Sequence, residues 1–146
     1  MDSQYGLSVT KLWGEENSGS FGYYQNEVMA MGLTDEVHTG DRLVAFSFTD
    51  AAGYSDRFSY FAPQTASVND GESVTLTLTA LIPDENWNLV PTLIEGATIS
   101  INGTATEFKT DAEGKVTLTL AKGENLITAT CSDPLLVTSV AKITVQ

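Results

Sequence analysis

Residue types that commonly do chemistry are scarce in this chain of 146 residues. It has one histidine, His38, which lies just before a Gly40-Asp41 turn, where an exposed side chain is expected. An acid–base enzyme needs a positioned proton acceptor and a partner for it. We find no serine-nucleophile elbow, zinc-protease motif, CxxC pair or glycine-rich phosphate loop. Nineteen acidic residues would allow a glycosidase-like carboxylate pair, but no spacing selects one. We therefore expect no enzymatic activity and no cofactor.

The single cysteine, Cys131, falls on the same alternation as Ile127 and Ala129. This position favours a small buried hydrophobic residue over a reactive thiol, because the nearest charged residues are acidic and would not stabilise a thiolate. One cysteine also excludes a disulfide within the chain.

Carboxylates on loops offer weak candidates for a calcium site. Oxygen ligands of this kind suit calcium, although none of these residues has the spacing of an EF-hand. The alternative is that they are solvated turn acids. The candidates are Asp50, Asp56, Asp111 and Glu113.

Aromatic residues in polar surroundings are the best indication of ligand binding. Trp87 lies among asparagine and acidic residues, and Trp13 precedes Gly14-Glu15-Glu16. Flat rings beside polar groups suit stacking on sugars, and Tyr23 and Tyr24 are further candidates. The alternative for Trp87 is that its ring folds back into the protein with its indole N–H bonded to a carbonyl. For the tyrosine pair, strand alternation alone would bury one ring.

The elements that must position these residues are β-strands. Hydroxyl and aliphatic residues alternate along 73–79 and 115–120, which is typical of strands with one face in a core and threonines in solvent. Turn residues separate such segments at short intervals. About seven strands are predicted by this pattern, which favours an all-β sandwich of immunoglobulin-like or prealbumin-like type. They are 73–81, 89–94, 97–101, 105–109, 115–121, 125–131 and 137–145.

The first sixty or so residues differ, since they are rich in aromatic residues and contain most of the glycines. Strands are predicted at 7–13, 21–25, 42–49 and 57–61. Because proline cannot continue a central strand, we expect the joint near Pro63. The predicted organisation is an aromatic-rich β-subdomain over 1–62 and a sandwich over 63–146.

Charge restricts the partners. The formal net charge of −12 opposes binding to nucleic acids and to anionic lipid surfaces. No stretch approaches the length of about 20 apolar residues that a membrane-spanning helix needs. We expect a monomer that works outside the cell, with any signal and anchor lying beyond this segment.

Residues 93–131 resemble the repeat of carboxypeptidase-regulatory-like, prealbumin-like and collagen-adhesin B-type domains. The resemblance is carried by Gly96 to Gly103, by Thr110-Asp111-Ala112-Glu113-Gly114-Lys115, and by the strand that ends in Ile127-Thr128-Ala129. It implies a β-sandwich module of a bacterial surface protein.

The segments 22–27 and 37–44 resemble, more faintly, the closing half of transcobalamin-C-terminal-like domains. That resemblance implies a large multidomain cell-surface protein and carries over no cobalamin binding. Together the two resemblances imply a structural spacer or adhesion element with a host or cell-surface protein as partner. The alternatives are a module that binds extracellular polysaccharide and an accessory domain of a secreted hydrolase.

Overall fold

The computed structural model describes residues 2–3, 6–17, 19–30 and 32–146. The chain divides into two compact units, residues 1–54 and 55–146. The described residues form strands, turns and bends without a helix, so no helix in this part of the chain could cross a membrane. The all-β prediction is confirmed.

The strands of the second unit are β8 (Ser59–Ala62), β9 (Thr65–Val68), β10 (Ser73–Pro83), β11 (Leu89–Leu93), β12 (Thr98–Ile101), β13 (Thr104–Lys109), β14 (Lys115–Thr119), β15 (Gly123–Thr130) and β16 (Ser139–Val145). They form two sheets. β10 is central in one of them, where its first half pairs with β14, its second half with β11, and β8 lies on its other edge. The other sheet has the order β13-β12-β15-β16-β9.

The aliphatic residues that alternate along the predicted strands form a core between these two sheets. Leu76 and Leu118 from the first sheet and Ile99 and Ile127 from the second belong to one buried cluster. On the solvent side of the first sheet, the hydroxyls of Thr75 and Thr117 lie 2.8 Å apart across the β10–β14 pair. Aliphatic residues therefore face inward while hydroxyl residues pair outside, as period-two patterning requires.

Strand order identifies the type of sandwich. In immunoglobulin domains, strands A, B and E share one sheet and strands C, F and G form the other. Here β8, β10 and β14 share one sheet, and β12, β15 and β16 lie together in the other. The short β9 continues from β8 and pairs in parallel with β16. The second unit is an immunoglobulin-like β-sandwich.

The division between the units lies earlier than the joint expected near Pro63. The predicted division at 62/63 places β8 in the first part, but β8 pairs with β10, and its Phe61 is fully buried in the sandwich core. Pro63, which follows a cis peptide bond, lies where the chain passes from the first sheet to the second. Proline does interrupt a strand there, but the interruption separates two sheets of the same unit.

The described strands of the first unit are β1 (Asp2–Ser3), β2 (Gly6–Leu7), β3 (Lys11–Leu12), β4 (Glu15–Glu16), β5 (Phe21–Gln25), β6 (Val28–Met29) and β7 (Leu43–Ser47). A three-stranded antiparallel sheet has the order β6-β5-β7. The short strands β1 and β2 pair antiparallel, as do β3 and β4.

Aromatic packing holds the β5–β7 pair together. Tyr24 and Phe46 are buried, with ring centroids 6.2 Å apart, and Phe48 packs edge-on against Phe46. Gly22 lies opposite Phe46, and a Cβ at this position would overlap the Phe46 ring. The absence of a side chain at Gly22 therefore makes room for the Phe46 ring on this face of the sheet.

Candidate functional site

Trp87 lies at the tip of the β10–β11 hairpin with its side chain in solvent. The residue is 83% exposed, so the ring does not fold back as the alternative interpretation required. Asp84 forms the loop: its N–H donates to the carbonyl of Asn88, and its Oδ1 accepts the N–H groups of Asn86 and Asn88. Bonds from the amides of Asn88 and Asn86 hold the pKa of Asp84 below its usual range.

The backbone of Trp87 is in the left-handed region, with φ of 64°. Such a conformation is an outlier for a bulky residue and is normally left to glycine or asparagine. In this loop type, a type I turn is followed by one left-handed residue, which is usually glycine. Trp87 occupies that residue's place.

The loop between β13 and β14, which belong to different sheets, has the same form with the expected residue. The N–H of Asp111 donates to the carbonyl of Lys115, and Asp111 Oδ1 accepts the N–H groups of Glu113 and Lys115. Its left-handed residue is Gly114, with φ of 67°. The two loops therefore share one hydrogen-bond pattern, with a tryptophan at one left-handed position and a glycine at the other.

Trp13, in the first unit, is a second tryptophan at a left-handed position that another residue type normally occupies. Trp13 and Gly14 form the two-residue loop between β3 and β4, with φ of 49° and 90°. Asn102 and Gly103 form the equivalent loop between β12 and β13, with φ of 50° and 81°. Asparagine tolerates the first position of this turn much better than tryptophan does, yet Trp13 lies there and is 69% exposed.

The tyrosine candidates lie on opposite faces of β5. Tyr24 is 6% exposed and packs in the aromatic cluster, so its ring is not available to stack on a sugar. Tyr23 is half-buried and lines a cavity of about 430 Å³. Strand alternation thus buried one ring of the pair, as expected, and left the other beside a cavity.

The walls of this cavity are mostly apolar and belong to the first unit. Tyr23, Gln25, Leu43 and Ala45 share one face of the β5–β7 pair, since Tyr23 is opposite Ala45 and Gln25 is opposite Leu43. The apolar side chains that complete the wall are Leu7, Val9, Ala30, Leu33 and Val37. No local sequence pattern indicates this cavity, because residues far apart in the chain build it.

A network of polar side chains lies beside the cavity, and strand patterning in the sequence does not predict it. The carboxylate of Asp41 accepts bonds from the amides of Asn26 and Gln25 and from the N–H of His38. These bonds, led by that from Asn26, lower the pKa of Asp41 from 3.8 to about 2. Asn26 in turn accepts the N–H of Arg42, so the network joins the β5–β6 turn to the start of β7. The only sequence signal for it is the Asn26-Glu27 and Gly40-Asp41 turn chemistry.

Three of the four calcium candidates accept hydrogen bonds within their own turns. Asp111 accepts two backbone N–H groups, and Glu113 accepts Lys115 Nζ at 2.6 Å, a bond that raises the pKa of Lys115. Asp50 accepts the N–H of Gly53 in the first unit, whereas Asp56 is buried in the second. Within the described ranges, no three histidine, cysteine or acidic side chains form a group that could hold a metal ion.

The one histidine and the one cysteine of the sequence have different surroundings. His38 has its side chain 74% exposed in a turn, as the sequence suggests. Cys131 is partly buried against the core cluster, and its Sγ lies 3.4 Å from the carbonyl oxygen of Asp133.

Comparison with known proteins gives only distant structural likenesses. No family model and no curated protein matches the chain. The fibronectin(III)-like modules of Clostridium thermocellum CbhA are similar at 16% identity and a TM-score of 0.40, over 60% of this chain and 95% of theirs. The N-terminal four immunoglobulin domains of Dscam1 isoform 4.44 are similar at 14% identity and a TM-score of 0.40. That match covers 76% of this chain and 25% of the Dscam1 chain.

Proposed function

We propose that this chain is a non-catalytic module of a larger bacterial cell-surface or secreted protein, in which it acts as a structural spacer and adhesion element. The observation that carries the adhesion role is Trp87, an exposed ring held at the tip of a hydrogen-bonded loop in a conformation that disfavours it. Strained backbone at an exposed position is typical of binding sites. Trp13 presents a second ring in the same manner.

Composition and resemblance support the setting. A net charge of −12 and a single cysteine suit a protein outside a Gram-positive cell. The resemblance of residues 93–131 to surface-protein repeats points to the same location. In this proposal the chain is monomeric and binds no cofactor, and its partners are other macromolecules at the cell surface.

A binding panel of extracellular-matrix and cell-surface proteins tests the adhesion role. We expect saturable binding to a member of the panel that Trp87→Gly reduces at least tenfold. Phe108→Ala is the matched control, since Phe108 is a half-exposed aromatic of the same unit on a regular strand. Equal binding by the Trp87 and Phe108 variants, or turnover of a substrate in a hydrolase panel, would contradict the proposal. Biotinylation of intact source cells, which should label the parent protein, tests the location.

Carbohydrate binding is the second candidate, and the immediate surroundings of Trp87 favour it. Asn86 and Asn88 flank the ring, and Asp84 holds their backbone N–H groups. The Asn88 amide donates one bond to Asp84 Oδ2 at 3.2 Å. Its remaining N–H and carbonyl, together with the Asn86 amide, can bond sugar hydroxyls while the ring stacks on the sugar face. A glycan array distinguishes the candidates: retention on polysaccharide that is lost in Trp87→Gly supports this one, and an array without retention removes it.

A further inference from the structure

The wall of the apolar cavity in the first unit includes one buried polar atom that the described residues leave without a partner. Tyr23 forms part of the wall, and its Oη is shielded from solvent without a hydrogen bond to any described residue. A buried hydroxyl without a partner costs free energy and is uncommon in native proteins. A group that supplies the missing bond would therefore bind favourably here.

Two other polar residues of the wall already use their amides. Gln25 Nε2 donates to the carbonyl of Glu36 and to the carboxylate of Asp41. Asn17 donates to the carbonyl of Val9 at 2.6 Å and accepts the N–H of Gly19. These bonds fix the frame of the cavity, and among the described wall residues the Tyr23 hydroxyl is the buried polar group that has no partner.

The size, polarity and charge of the cavity restrict what it can take. A volume of about 430 Å³ lies within the range of roughly 300–1,000 Å³ that small-molecule sites occupy. The wall residues include Asp35 but, within the described chain, no lysine or arginine. An anion would find no countercharge in this wall, and the protein as a whole carries −12. Aliphatic and aromatic walls offer an oligosaccharide few partners for its hydroxyls.

We propose that this cavity binds a small neutral molecule with an apolar body and one hydrogen-bond acceptor, which receives the proton of the Tyr23 hydroxyl. The site is separate from Trp87, so it goes beyond the adhesion role. A tyrosine hydroxyl is protonated at neutral pH and can donate a hydrogen bond, and burial raises the pKa of Tyr23 further in the same direction. The apolar walls supply the affinity, and the single hydroxyl orients the ligand.

Fluorescence titration of the full chain with prodan, a neutral naphthyl ketone, tests the proposal. We expect saturable binding with a blue-shifted emission, since the probe leaves water. Tyr23→Phe keeps the ring and removes the hydroxyl, and should weaken binding about five- to tenfold. Tyr54→Phe is the matched control, because Tyr54 lies in the same unit outside the cavity wall and should leave binding unchanged.

A second probe and a variant that fills the cavity complete the experiment. Dimethylaminonaphthalene, which lacks the ketone, should bind the wild type and Tyr23→Phe equally, so that the double comparison isolates the hydrogen bond. Ala45→Phe places a ring opposite Tyr23 and should abolish binding of both probes. The proposal is overturned if neither probe binds up to its solubility limit, if Tyr23→Phe binds prodan as well as the wild type, or if Ala45→Phe does not reduce binding.

Discussion

At the scale of single residues, positive φ angles mark the most unusual choices in the chain. Five described residues other than glycine have them, and two are the asparagines Asn26 and Asn102, which tolerate this conformation. The other three are aromatic: Trp13, Tyr54 and Trp87. For both tryptophans, an equivalent turn elsewhere in the chain has asparagine or glycine in the same place, so a lower-strain choice was available to the same backbone.

Trp87→Gly should raise the free energy of unfolding by about 1 kcal/mol, because it relieves the left-handed strain and removes almost no buried surface. Urea unfolding of the full chain measures the change. Gly114→Ala is the opposing control. It should lower stability, since its Cβ would lie 2.8 Å from the carbonyl oxygen of Leu78 and φ is 67° there. A loss of stability in Trp87→Gly would show that the ring makes contacts in solution.

The Asp41 carboxylate should titrate with a pKa of about 2, as followed by the NMR shift of its carboxyl carbon. Because this pKa is lowered on folding, the ionised group stabilises the fold fully above its unfolded value. That contribution is lost as the pH falls from about 4 towards 2. Asn26→Ala should raise the pKa by removing the leading hydrogen bond, whereas Glu36→Gln should leave it low. An Asp41 pKa near its ordinary value in the wild type would contradict the network.

At the scale of elements, alternation explains the sandwich strands, and cross-strand fit explains the sheet of the first unit. β10 and β14 bury their aliphatic residues on one face and pair hydroxyls on the other, so either strand could be recognised separately. β5 and β7 are different, because their packing depends on Gly22 and Phe46 lying opposite each other. Because Gly22 and Phe46 are distant in the chain, their contact can be recognised only once the register of β5 against β7 is known.

Gly22→Ala should destabilise the first unit by about 1–3 kcal/mol, since the new methyl group would overlap the Phe46 ring. Hydrogen exchange of the β5 and β7 amides measures the effect within that unit. The double variant Gly22→Ala with Phe46→Leu provides the control and should destabilise less than the two single changes added together. Additive effects would mean that the methyl group and the ring do not meet.

At the scale of the whole molecule, the position of the division decides which residues complete the sandwich. The core cluster includes Phe61 of β8, and Phe58, just before β8, is buried in the same unit. A boundary at 54/55 keeps both residues with the sandwich, whereas a boundary at 62/63 removes both.

A fragment of residues 55–146 should fold and unfold cooperatively, while a fragment of residues 63–146 should be much less stable. Loss of the buried Phe61 alone costs about 3–5 kcal/mol, which is a large share of the stability of a small domain. Thermal unfolding by circular dichroism compares the two fragments. Phe61→Ala in the full chain is the matched point variant. Equal stability of the two fragments would place the division at 62/63.

Period-two alternation determined most of the sandwich, because a strand with one buried face must place aliphatic residues at every second position. The predicted strand 73–81 is β10, and 115–121 contains β14, with ends that differ by a few residues. The turns were equally predictable from the sequence, since Asn102-Gly103 and Asp111 to Gly114 contain residues that suit positive φ. Trp13 and Trp87 were predicted as candidate ligand-binding residues from their polar neighbours alone.

Only the tertiary structure decided how these pieces associate. The assignment of β8 to the sandwich depends on its pairing with β10, which local sequence does not encode. The cavity beside Tyr23 is built by residues that lie between positions 7 and 45, and the Tyr23 hydroxyl is buried only once the chain has folded. The exposure of Trp87 follows from the loop that Asp84 organises, a bonding pattern that residue types alone did not reveal. Alternation is a property of neighbours in the chain, whereas pairing, enclosure and exposure are properties of neighbours in space.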